Sequence, residues 1–131
     1  MEIVNYLDAQ TSQPPDPGTG LSIRRLTADP QLSLYFAAID PGVTLPAHYH
    51  KDGAEAYHIV GGRGEIAVGA LKGDAVEWQQ AASVKAGDCF SIRAGQVHRL
   101  VNSGDTILQV VFSAPPPHLG EDRFFVSIEV K

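Results

Sequence analysis

Three of the five histidines fall within residues 48–62, HYHKDGAEAYHIVGG, and one glutamate sits among them. Imidazole and carboxylate are donors suited to a divalent transition metal of borderline softness. On a β-strand, residues two apart share a face, so His48 and His50 project together while Tyr49 points away. The turn Lys51-Asp52-Gly53-Ala54 can reverse the chain and bring Glu55 to the same interior. Along the following strand, Glu55, Tyr57 and Ile59 share one face, and Ala56, His58 and Val60 share the other. Parity therefore joins His48, His50 and Glu55 and sets His58 apart. The plainer reading is a pair of hydrogen-bonded core histidines. Burying two histidines beside a carboxylate without a cation is unfavourable, because the carboxylate must then be paired or neutralised. The residues favour a metal.

The elements that must position these side chains are β throughout. Runs rich in Ile, Val, Leu, Phe and Thr span 21–27, 31–39, 55–62, 64–71, 75–85, 88–93, 97–102, 106–113 and 123–130. Turn formers such as Asp40-Pro41-Gly42, Lys72-Gly73-Asp74 and Ser103-Gly104-Asp105 separate them. No window holds a sustained helical period with caps at both ends. Many short strands at near-even spacing predict a sandwich or closed barrel. Residues 10–20, QTSQPPDPGTG, contain three prolines and suit a surface arm or connector, leaving residues 1–8 as an edge strand. Pro115-Pro116-Pro117 ends the last central strand, and the tail then returns as a strand.

At 131 residues the chain is most simply one domain with a core of its own. A hydrophobic fraction of 44% and a charged fraction of 19% argue against disorder. The formal net charge of −5 leaves no basic footprint, so nucleic acid and anionic membranes are not expected partners. No run approaches the length needed to span a bilayer. The start, MEIVNYLDAQ, lacks the basic head and apolar stretch of a secretory signal, and a cytoplasmic location is expected. The single cysteine, Cys89, can form no internal disulfide.

Two patterns resemble a known family. Gly42-x5-His48-x-His50-x4-Glu55-x6-Gly62 resembles the first motif of the cupin superfamily with every fixed position filled. Gly87-x5-Arg93-x-Gly95-x2-His98-x3-Asn102 resembles the second, with arginine where the family usually has proline. The resemblance covers residues 35–113, leaving 1–20 as an N-terminal strand and arm and 114–131 as a tail. It implies a double-stranded β-helix, or jelly-roll barrel, as a single small domain. It also implies a metal held by His48, His50, Glu55 and His98. Iron, manganese, nickel, zinc and copper all suit such a set, and one or two positions remain open to water, substrate or dioxygen.

Other side chains could contribute. Tyr57 shares Glu55's face and could act beside it as a proton donor or orienting group, or simply pack with its hydroxyl on backbone. Arg93 could anchor an anion, although a solvated surface arginine is the plainer reading. Tyr35, Phe36, Trp78, Phe90 and Phe112 read as core or wall. Either Cys89 or Phe90 faces in, and a buried inert thiol is the usual outcome. His118, after the triple proline, could cover the barrel mouth, although such a histidine is more often exposed. The resemblance implies a metal-dependent enzyme acting on a small organic substrate by dioxygenase, isomerase or lyase chemistry, and Glu55 and Tyr57, on the same strand face, are the candidate catalytic residues. The alternative is a non-catalytic ligand- or sugar-binding module. Family analogy further implies a homodimer.

Overall fold

The computed structural model describes residues 1–7 and 15–126. Ten strands form two antiparallel five-stranded sheets. The first sheet runs β1 (Ser22–Arg25), β2 (Ser33–Ile39), β9 (Leu108–Ala114), β4 (Glu55–Gly61), β7 (Cys89–Ile92). The second runs β10 (Phe124–Phe125), β3 (Thr44–Tyr49), β8 (Val97–Val101), β5 (Arg63–Lys72), β6 (Ala75–Lys85). This arrangement is a double-stranded β-helix, as the strand spacing and the resemblance predict.

Strand alternation builds the core. Ile39, Ile59, Ile92, Leu108 and Val110 from the first sheet meet Leu45, Ile66 and Leu100 from the second, and all are buried. Removing such a side chain from water stabilises the fold by about 1.5–3 kcal/mol each. Tyr35, Phe112, Tyr57 and Phe90 form a row of stacked rings with centroids 5.1–5.4 Å apart. On the outer face of the second sheet, Ala47, Val76 and Val97 form a smaller cluster with half-buried Trp78 against it.

Two local features set the site. The β3–β8 register shifts between Leu45 and His48, which changes strand parity so that both residues face inward. Gly62 has φ +79°, and a Cβ there would lie 2.5 Å from the Ile107 carbonyl oxygen, so the position admits only glycine.

The ends depart from expectation. Residues 1–7 form no strand, and residue 8 lies outside the described residues. The Leu7 N–H turns back onto the Asn5 side-chain oxygen, and the Tyr6 ring lies on Phe36 instead of extending a sheet. The strand expected over 123–130 is found at Phe124–Phe125, with 127–130 outside the described residues. Before it, Pro116–Leu119 make a single 3-10 turn.

Candidate metal centre

His48 and His98 are direct cross-strand partners on β3 and β8, which places their rings 4.2 Å apart. His50 follows β3 and Glu55 opens β4 across the intervening turn. One donor atom from each of His48, His50, Glu55 and His98 lies within 4.8 Å of every other, and all four residues are buried. The four residues that the resemblance implies as ligands are thus brought together at one point and could hold a metal.

The histidine tautomers are set from behind. His48 Nδ1 donates to the Pro46 carbonyl at 2.7 Å, His50 Nδ1 to the Asp122 carbonyl at 2.6 Å, and His98 Nδ1 to the Gln96 carbonyl at 3.2 Å. Each Nε2 then presents a lone pair to the interior. His50 Nε2 and His98 Nε2 are buried without a hydrogen-bond partner. They approach the Glu55 carboxylate oxygens at 3.4 and 3.3 Å, so lone pairs face lone pairs there. A cation between them would convert that repulsion into ligation, and imidazole nitrogens held by backbone carbonyls are the usual form of metal-binding histidine. The residues fit a divalent metal.

Burial and the neighbouring His98 push His48 down to about 3, so it is neutral and able to ligate. Burial alone would raise Glu55, but His118, His50 and His98 together outweigh it and hold the carboxyl well below its usual range. Tyr57 donates its hydroxyl to Glu55 Oε1 at 3.1 Å, not to backbone. Burial and the adjacent carboxylate push that hydroxyl well above 10, which makes Tyr57 a donor and orienting group and removes it as a base near neutral pH.

His118, for which the sequence left a covering role at the barrel mouth and plain exposure both open, lies at the site. It is fully buried, with Nδ1 at 3.1 Å from Glu55 Oε2 and Nε2 on the Asp52 carbonyl. Both ring nitrogens face acceptors, so both donate and the ring carries a proton. Burial alone would lower its pKa, but Glu55 and Asp52 outweigh it and raise it. Asp122 fastens the same turn by accepting from the Lys51 and Asp52 N–H groups at 2.7 and 3.0 Å.

Three other side chains lie away from the centre. His58 is exposed, as strand parity predicts. Cys89 is exposed too, because it is the cross-strand partner of outward-facing His58, while Phe90 faces in opposite Tyr57. Arg93 is exposed in the β7–β8 turn and lies apart from the site cavity. That turn is closed by Gln96, whose side-chain oxygen accepts from the Arg93 N–H and whose own N–H donates to the Arg93 carbonyl.

The centre opens onto a cavity of about 20 Å³, room for a water molecule but not for an organic ligand. Its wall is mostly apolar, including Leu21, Ile39, Leu100, Phe112 and Leu119, with Arg123 beside them.

The Cupin_2 family, described as a cupin domain, matches residues 35–113. The chain belongs to this family. No match was found among curated proteins. Solved structures share its fold. A Klebsiella pneumoniae protein with a double-stranded β-helix domain is 21% identical, with 82% of this chain and 84% of that chain covered and a TM-score of 0.66. A Bacillus halodurans protein is 22% identical, with coverage of 88% and 81% and a TM-score of 0.69. The manganese(II)-containing oxalate decarboxylase of Bacillus subtilis is 18% identical, with 72% of this chain but 25% of that chain covered and a TM-score of 0.60.

Proposed function

We propose that this cupin is a small metal-dependent enzyme that converts a small organic substrate by dioxygenase, isomerase or lyase chemistry. The reading rests on one observation above the others: two buried imidazole nitrogens, His50 Nε2 and His98 Nε2, have no partner and face a carboxylate. His48, His50, Glu55 and His98 would hold the metal. A bound divalent metal supplies a Lewis acid or a site for dioxygen beside a chelated substrate. The protein supplies orientation and a dry surround. The Pro46, Asp122 and Gln96 carbonyls fix the imidazoles, Tyr57 and His118 fix Glu55, and the apolar wall limits water. His118 is a proton donor already inside the cavity wall.

The test is metal content after exhaustive dialysis, measured for wild type and for the H48A/H50A double variant. Stoichiometric metal in the wild type and none in the double variant is the expected result. Full retention by the double variant would sink the reading. Turnover or dioxygen consumption by the loaded protein, across keto acids, diketones and sugar phosphates, then separates an enzyme from a binding module. Saturable binding without turnover would assign it to the latter.

A further inference from the structure

Arg123 follows the 3-10 turn, and its side chain is 7% exposed. Among the residues lining the cavity it is the one cationic side chain other than histidine. Most of the rest of the wall is aliphatic or aromatic, including Ile23, Ile39, Leu45, Val110 and Phe112. The guanidinium is not idle. It donates through both terminal nitrogens to the Asp16 carboxylate, at 2.9 and 3.1 Å. Asp16 is itself 6% exposed and also accepts from the Thr19 N–H and hydroxyl at 3.0 and 2.6 Å. The turn carrying Asp16 lies so close that a Cβ on Gly18 would collide with the guanidinium.

Arg123 lines a cavity too small for an organic ligand, so a ligand has to displace part of the wall. A planar fork of guanidinium donors accepts any carboxylate in the same two-bond geometry that Asp16 uses. Exchanging Asp16 for a ligand carboxylate keeps Arg123 paired, and the released Asp16 is hydrated. A neutral ligand that pushed Asp16 away would strand a buried guanidinium, which is strongly unfavourable.

We propose that Arg123 is the anchor for a ligand carboxylate and that Asp16 is its intramolecular stand-in. The cavity takes a small monocarboxylate with an apolar body. Its carboxylate replaces Asp16 on Arg123, and its body lies against the aliphatic wall as the Asp16 turn moves out. The inference rests on the reading of this cavity as a substrate site, but the anchoring step needs no metal.

Isothermal titration of the full chain, both metal-free and zinc-loaded, with 4-methylpentanoate and with 4-methylpentanamide tests it. The acid is expected to bind at least tenfold more tightly than the amide in both forms. R123Q should erase that preference, R123K should retain part of it, and D16N, with a weaker internal competitor, should bind the acid several-fold more tightly. Thermal unfolding of each variant reports whether it is folded. If R123Q or D16N unfolds, the wild-type acid and amide comparison together with R123K decides. Equal affinity for acid and amide, no binding of either by wild type, or a preference that survives in R123Q would each overturn the proposal. Failure of wild type to hold zinc while the acid preference persists would overturn the metal reading and leave the carboxylate anchor standing.

Discussion

His118 lies flat against His50, with ring planes parallel and centroids 4.0 Å apart. One ring belongs to the candidate ligand set, and the other reaches it from sixty-eight positions downstream in the chain. Through Nδ1 the same ring holds Glu55 Oε2. H118A removes that hydrogen bond and the stacked face together, so two of the four donors lose their support. Partners of this kind typically contribute about 10–100-fold to metal affinity. Competition titration of zinc against a chromophoric chelator is expected to show a loss in that range. Unchanged affinity in H118A would mean that the stack is only packing.

Tyr57 is expected to stay protonated in strong base. Its hydroxyl is buried against the Glu55 carboxylate, and both burial and that charge disfavour the phenolate. The absorbance near 295 nm at pH about 10.5, where free tyrosine is mostly ionised, should be the same for wild type and Y57F. A tyrosinate difference between the two would contradict the geometry. Y57F should also weaken metal binding while leaving the aromatic row of Phe90, Tyr57 and Phe112 in place.

Metal removal should lower the melting temperature. A ligand that binds only the folded state stabilises it by about 2.7 kcal/mol at a hundred times its dissociation constant. For a domain of this size that is roughly 5–10 °C. Calorimetry with and without a chelator checks it, and H98A should show no such difference. Identical melting of loaded and stripped wild type would count against a site in the barrel.

The Asp16–Arg123 pair should make the stability of the fold sensitive to acid. Burial alone would raise the Asp16 pKa, but the hydrogen bonds from Arg123 and Thr19 outweigh it and hold the carboxyl below 3.8. A carboxyl whose folded pKa lies below its unfolded value adds stability that is complete above the unfolded value. That stability is lost as pH falls through the folded one. Wild type should therefore melt above D16N at pH 6, with the gap closing as pH drops below about 4. A gap that widened in acid would reverse the assigned direction.

Asn102 ties the loop ahead of β9 to the end of β2. Its amide donates to the Ile39 and Thr106 carbonyls at 2.8 Å each, and its oxygen accepts from the Gly104 N–H at 2.9 Å. N102A leaves these backbone groups without that partner and should destabilise the fold by about 2–4 kcal/mol. Urea unfolding would measure it, and a loss under about 0.5 kcal/mol would place water in the vacated position.

How much of this was legible beforehand depended on distance along the chain. Strand parity placed His48, His50 and Glu55 together and set His58 outside, because a regular strand repeats every two residues. His98 and the motif glycines came only through the resemblance to the two cupin motifs. His118 carried no such signal, since it enters through a 3-10 turn and meets Glu55 across 63 positions. The hint was a histidine held after three prolines, a rigid entry that a freely solvated side chain does not need. Cys89 and Phe90 were indistinguishable until the register paired Cys89 with His58. The arginine at the cavity is Arg123, not Arg93, and its partner Asp16 lies 107 positions away. Neither local propensity nor motif spacing reports contacts of that range.

All four candidate metal donors lie within the matched span 35–113, whereas the cavity-lining Leu21, His118, Leu119 and Arg123 lie outside it. A chain stopped at Ala114 would keep the four candidate donors and lose His118, Leu119 and Arg123 from the wall beside them. On the proposed reading, the donors and the rule for what reaches them are carried by separate stretches of the chain, so exchange of the two ends alone would leave the donors in place and change what reaches them.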